Sequence, residues 1–290
     1  MNHSHYYVPD PSRWPIVGSI GLFTLVLGFA GLLNGVTTAG PLAMAAGCLI
    51  FIVMLFGWFG AVVGESMAGK YNDQVDVSFR WGMVWFIASE VMFFAGFFGA
   101  MFYARYFAVP WLGGLGDKGI AHEILWPSFV ATWPLLNLPD ASHFTVAKEG
   151  MSAFGIPAVN TAILLSSGAT VTWAHWGLKR ERRYQMLAGL ACTVALGLLF
   201  LGLQAHEYWD AYTLSNLRLT SGIYGSTFFM LTGFHGLHVT VGAIMLSVIL
   251  VRASRGHFRP DRHFAFEAVS WYWHFVDVVW LGLFIFVYLL

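Results

Sequence analysis

The chain has 290 residues, of which 58% are hydrophobic and 10% charged, and its formal net charge is +0. A soluble domain carries about 25% charged residues, so this composition excludes a water-soluble globular protein and assigns an all-α integral membrane protein. A neutral chain also gives no electrostatic case for nucleic acid or acidic partners.

The N-terminus, Met1 to Tyr6, is polar and lacks the basic n-region of a cleavable signal. A short arm follows, with Pro9, Pro11 and Pro15 forbidding a helix until the chain reaches the bilayer, and with Trp14 suited to an interfacial anchor. Apolar runs then occur at roughly 16–34, 40–64, 81–107, 157–178, 184–206, 221–251 and 267–290. Each is near or above the ~20 residues that cross a bilayer core. The reading is seven transmembrane helices. Residues 1–66 form an arm and a two-helix hairpin, turning through Asn34-Gly35 and Gly40-Pro41. Residues 67–290 form a five-helix bundle, with one long outside loop at about 109–156 that holds short interfacial helices. Cys48 and Cys192 sit in apolar runs without ligand spacing and read as small packing residues.

Lysine and arginine set the orientation. Arg13, Lys70, Arg80, Lys179, Arg180, Arg182, Arg183, Arg252, Arg255, Arg259 and Arg262 fall on one side of a seven-span chain. Only Arg105, Lys118, Lys148 and Arg218 fall on the other. That asymmetry places the N-terminus in the cytoplasm and the C-terminus outside.

Ionisable groups within apolar runs are functional candidates by default, because lipid tolerates them poorly. Glu90 lies about ten residues into the third run; it reads as a proton-handling or ligand-binding carboxylate, or as a protonated packing group. In the sixth run His235 and His238 are three residues apart and share a helical face. With His274 they form either a metal or haem ligand set or a polar network between helices; the network is the favoured reading, since one HxxH inside a helix is short of a metal-enzyme pattern. His175, His206, Glu207 and Asp210 sit at helix ends and read as interfacial. The last run opens Trp271-Tyr272-Trp273-His274-Phe275-Val276-Asp277-Val278-Val279-Trp280, placing His274 and Asp277 on one face among three tryptophans. No catalytic constellation and no metal site stands out. A secondary transporter centred on Glu90 is disfavoured because no internal repeat is visible.

Several of these stretches resemble cytochrome c oxidase subunit III of the haem-copper oxidases, nearly end to end. They include Pro11-Ser12-Arg13-Trp14-Pro15, Arg80-Trp81-Gly82-Met83, Ser89-Glu90-Val91-Met92-Phe93-Phe94, Asn160-Thr161 and Thr172-Trp173-Ala174-His175. Tyr224-Gly225-Ser226-Thr227-Phe228-Phe229, Gly233-Phe234-His235-Gly236-Leu237-His238-Val239, Phe266-Glu267 and the 271–280 stretch complete the set.

The resemblance implies two helices and then five, splayed into a V that holds phospholipids. It implies no cofactor in this chain, with haem and copper in partner subunits I and II, subunit I being the main contact. Cytochrome c is then the substrate of the complex. The lipid-contacting positions it implies are Trp58 and Glu65 on one wall and Arg80, Glu90, Arg252 and His257 on the other. His235, His238, His274 and Asp277 remain the buried polar network. His3 and His5, in the N-terminal arm, match histidines near the proton entrance of the catalytic subunit and are expected to act as a proton antenna. Two departures stand out: Phe59 to Gly64 replaces a run that is usually charged, and Gly99 replaces a bulky aromatic. The long loop at 109–156 favours a bacterial inner (plasma) membrane, with a periplasmic C-terminus, over a mitochondrial one. A quinol-oxidising relative is disfavoured by the N-terminal hairpin.

Overall fold

The computed structural model describes Tyr7, Val8 and residues 10–290. Within them the chain is helical or irregular, apart from an isolated bridge between Arg259 and Arg262. It forms two compact units, one reaching to Trp81 and one running from Gly82 to Leu290.

The first unit is a hairpin of α1 (Trp14–Leu33) and α2 (Ala39–Met67). Proline in the first turn starts α1, where the missing N–H costs no helical bond. Asn34 closes it by donating from Nδ2 to the Ala30 carbonyl at 2.8 Å, and Gly35 takes a φ of 83° to turn the chain. The only buried residues of α1 are Gly18, Gly21 and Gly28, and those of α2 are Gly40, Gly47 and Met54. In each helix two of the glycines stand seven residues apart, so they return to one face every two turns. A Cβ built on Gly28 would lie 2.5 Å from the Met44 backbone nitrogen. The two backbones therefore touch directly, as small residues allow where lipid supplies no hydrophobic drive between helices.

α3 (Asp73–Tyr103) begins in the first unit and continues in the second through a π-turn at Ala104–Ala108 into α4 (Val109–Leu112). The π-turn precedes Pro110, whose ring nitrogen donates no hydrogen bond to the turn before it. The long connection holds a 3-10 turn at Gly116–Lys118, α5 (Gly119–Leu125) and an irregular stretch. That stretch is tied down: the Lys148 N–H donates to the Ser215 carbonyl at 2.8 Å and the Met151 N–H to the Tyr224 hydroxyl at 3.0 Å. The remaining helices are α6 (Ile156–Lys179), α7 (Arg183–Thr213), α8 (Gly222–Ser254) and α9 (Phe264–Leu283), the last continuing as a π-helix over Phe284–Leu289.

Six helices among the described residues are long and apolar enough to cross a membrane: α1, α2, α3 with its continuation, α7, α8 and α9 with its continuation. The run expected at 157–178 is the exception. α6 has the length, at 24 residues, but it carries Asn160, Thr161, Ser166, Ser167, Thr170, Thr172 and His175. Thr161, Ser166 and Thr172 donate to carbonyls four residues earlier, and Ser167 and Thr170 to carbonyls three earlier, which hides their hydroxyls inside the helix. Cys48 and Cys192 are free and exposed, not packed within the chain.

α9 is the axis of the second unit. Trp273, Val276, Trp280 and Leu283 follow helical spacing, and none has measurable exposure. The Trp273 ring lies between two glycines: a Cβ on Gly197 of α7 or on Gly242 of α8 would each come within 2.8 Å of it.

Candidate functional site: polar contacts between the helices

Because an unpaired buried polar group costs about 1–3 kcal/mol, each buried group should find a partner, and most do so on another helix. The indole of Trp273 donates to Ser167 Oγ at 2.8 Å and that of Trp280 to Thr161 Oγ1 at 2.9 Å, pinning α9 to α6 at two points. Between these pins lie His274 and Asp277. His274 Nδ1 is 3.5 Å from Asp277 Oδ2, and His274 Nε2 is 3.2 Å from Thr172 Oγ1. The Thr172 hydroxyl gives its hydrogen to the Gly168 carbonyl, so Nε2 must be the donor to Thr172. Nδ1 is left to face the Asp277 carboxyl. Gly168 makes room for this pair, since a Cβ there would run into Asp277 Oδ2.

A second pair joins α8 to α3. His238 Nε2 is 2.9 Å from Glu90 Oε2, while His238 Nδ1 is 2.6 Å from the Phe234 carbonyl. A carbonyl only accepts, so Nδ1 carries a hydrogen and Nε2 is left to face the Glu90 carboxyl. The rings of Phe93, Phe94 and Tyr272 surround His238 at 5.9, 5.0 and 6.4 Å. His235 stands apart. It is completely buried, donates from Nε2 to the Val276 carbonyl at 3.2 Å, and packs between Phe200 and Trp280. The structure thus distributes His235, His238, His274 and Asp277 over three separate contacts. Among the described residues no hydrogen bond links one contact to another. Sharing a face at i and i+3 did not bring His235 and His238 together, because one meets α9 and the other α3.

The residues expected at lipid headgroups fall as follows. In the first unit Glu65 accepts from the Tyr71 hydroxyl at 2.8 Å, and Tyr71 packs edge-on against Phe79 at 5.1 Å. Partial burial, followed by the Glu65 carboxylate, pushes the Tyr71 hydroxyl well above the usual tyrosine range. Arg80 Nε is 2.6 Å from Asp76 Oδ2, one turn back along α3, and Trp58 is exposed. In the second unit Glu90 is taken by His238. Arg252 lies over the Phe258 ring at 4.7 Å, and neither its Nε nor Nδ1 of His257, in the turn that follows, has a hydrogen-bond partner among the described residues. His3 and His5 lie outside the described residues.

Two of the groups read as interfacial are largely covered by other turns of the chain. Glu207 is 2% exposed, with neither carboxyl oxygen hydrogen-bonded among the described residues, whereas its neighbour His206 faces out toward Asp210 at 3.1 Å. His175 meets His263 and Glu267 at the end of α6, and their ligand-capable atoms all lie within 4.8 Å of one another. Helix-end position gave no sign of either, because burial there depends on which neighbouring turn folds over it.

Such an arrangement, with histidine–carboxylate pairs spent on fastening one long helix to the next, defines a polytopic helical membrane protein. The profile of the family described as cytochrome c oxidase subunit III matches residues 3–138 and 124–290. Curated relatives agree. Cytochrome c oxidase subunit 3 of Cyprinus carpio is 39% identical over 284 residues, covering 98% of this chain and 96% of its own. The same protein of Gadus morhua is 38% identical and that of Dugong dugon 39%, each with the same coverage. The chain belongs to the cytochrome c oxidase subunit III family and is a subunit of that oxidase.

These relatives also correct one expectation. They come from fish and mammals and point to the mitochondrial inner membrane, not to a bacterial plasma membrane. The sequence argument failed because basic loops report which side of a membrane they occupy, and loop length reports neither side nor compartment.

Proposed function

We propose that this chain is a redox-inert subunit that braces the catalytic part of the oxidase and holds phospholipid, with haem and copper in subunits I and II and subunit I as its main contact. Cytochrome c is then the substrate of the complex. One observation carries the reading: Glu90 pairs with His238 across α3 and α8, His235 bonds the α9 backbone and His274 bonds Thr172 of α6, so these groups serve as contacts between helices. The family relationship supports it. On this reading α6 is a seventh span, its hydroxyls hidden against its own backbone, and the helices number two and then five.

Headgroup contact rests chiefly on Arg252 and His257, whose free nitrogens lie in one turn and suit a phosphate. Trp58, Glu65 and Arg80 are the matching candidates in the first unit, while Glu90 is engaged by His238. His3 and His5 remain proposed proton carriers on sequence grounds, because histidine titrates near neutral pH.

The test compares the purified oxidase with and without this chain. Haem bands should be unchanged, and the stripped enzyme should lose activity within fewer turnovers and carry less phospholipid. Altered haem bands, or an equal catalytic lifetime, would reject the proposal.

A further inference from the structure

α7 and α8 pack side by side, and a groove of about 200 Å³ lies along their contact. Leu201, Gln204 and Tyr208 line it from α7, and Gly233, Gly236 and Thr240 from α8. The glycines let polar groups of α7 lie flat against the α8 backbone. A Cβ on Gly236 would stand 3.0 Å from Gln204 Oε1, and one on Gly233 would stand 3.3 Å from the Tyr208 hydroxyl. Small residues in such a stripe are how one membrane helix makes room for another.

Gln204 is 6% exposed, and its Oε1 has no hydrogen-bond partner among the described residues. The amide cannot turn over to mend this. Its Nε2 donates to the Thr232 carbonyl at 2.8 Å, and a flipped amide would set two acceptors against each other. Tyr208 also approaches the Gln204 amide but has no hydrogen to give it. The Thr232 hydroxyl donates to the Phe228 carbonyl at 2.7 Å, so the Tyr208 hydroxyl must donate to Thr232, also at 2.7 Å. Oε1 is therefore an acceptor left over once the hydrogens around it are assigned.

Depth makes that acceptor costly. α7 has 31 residues and so is about 46 Å long, close to the thickness of a bilayer with its headgroups. Gln204 lies nine residues before the C-terminal end of α7, about 14 Å along the axis. That is below the headgroup layer, which is about 5–8 Å deep on each side. Acyl chains offer no hydrogen there, and an unmet buried acceptor costs about 1–3 kcal/mol.

We propose that the α7–α8 groove is a docking site for a transmembrane helix of another oxidase subunit, one that presents a hydroxyl or amide donor to Gln204. The chain is a subunit of a membrane complex, so such helices are at hand. A serine, threonine, asparagine or glutamine beside a glycine or alanine on that helix fits both features of the groove. The small residues permit close approach, and the donor fixes the height and rotation of the incoming helix. Docking here is independent of the redox-inert role proposed above.

The experiment uses the whole oxidase in discs of its native lipid. Electron cryomicroscopy should show a helix of another subunit over the groove, with a side-chain donor within hydrogen-bond distance of Gln204 Oε1. An acyl chain in the groove, no density there, or a helix that turns only apolar side chains to Oε1 would each overturn the proposal. Ala205→Phe fills the groove from an exposed position of α7, so the chain should stay folded while the seated subunit is lost. The amount of that subunit per haem should fall about tenfold, with the haem bands unmoved. Full retention of the subunit overturns the proposal. Should the variant lose this chain as well, the density of the unaltered complex decides.

Discussion

The two units of this chain solve one problem by opposite means. In lipid, burying apolar side chains gives no gain for helix association, so contact must come from close packing or from polar bonds. The α1–α2 hairpin uses packing alone. Its helices bury almost only glycines, and just 11% of each apolar window is buried. The second unit adds indole, hydroxyl, histidine and carboxyl contacts, and 56% of the α9 window is buried. Backbone contact needs no side-chain partner and leaves most large residues of α1 exposed, Trp14 excepted, whose ring lies over Gly57 of α2. Polar contact fixes a helix's rotation as well as its distance, which several helices packed around one axis require.

The contrast is open to test, starting where the largest effect is expected. Gly47→Leu would drive a side chain into the backbone of Leu25, which cannot yield locally. Overpacking costs about 1–3 kcal/mol and occasionally more, so the hairpin should splay. Heating the detergent-purified complex should release the chain at a clearly lower temperature. Gly60→Leu is the control, since a Cβ there meets nothing within 4 Å. Equal behaviour of the two variants would show that glycine contact is not what joins the helices.

In the second unit, Gly168→Ala should displace the Asp277 carboxyl, and Asp277→Asn should remove its acidity. Each is expected to lower retention of the chain by about 1–3 kcal/mol with the haem spectrum unchanged. Because the two sites touch, the double variant should lose less than the sum. Strict additivity, measured by denaturant-driven release, would mean that the carboxyl and the glycine do not share a contact.

The smallest effect belongs to the turn after α2. Glu65→Gln should bring the Tyr71 ionisation down toward the ordinary tyrosine range, read by ultraviolet titration against a Tyr71→Phe background. The sign follows from the raised value: the fold favours the neutral hydroxyl. Its contribution is therefore present below the ordinary tyrosine range and is lost as pH rises through the folded value. An unmoved titration would remove the carboxylate from the explanation. Because this site is partly exposed, stability should change by less than about 1 kcal/mol.

Much of this was legible in residues alone. Runs of apolar residues located all the long helices, because span length is imposed by the bilayer and hardly by neighbours. α3 nevertheless begins eight residues before its run and α7 ends seven after its own, where polar turns extend the helix. The 157–178 run shows the limit: its length was readable, but its hydroxyls are tolerated because they fold back onto α6. His274 and Asp277 were correctly placed on one face, since i and i+3 proximity is local geometry. The pairing of His238 with Glu90, 148 residues away, was not readable, nor was the separation of His235 from it. The meeting of His175, His263 and Glu267 was hidden for the same reason.

The sequence by itself determined what short-range physics controls: membrane residence, the approximate helix positions and the family likeness of its motifs. Only the tertiary structure decided which buried group faces which. Helix periodicity leaves each helix free to rotate about its axis and slide along it, and those two freedoms are fixed by contacts between residues far apart in the chain. The same freedom explains why Glu207 is sealed while His206, one residue earlier, is exposed. A step of one residue turns the side chain by about 100°, and the neighbour waiting at that angle is chosen by the fold.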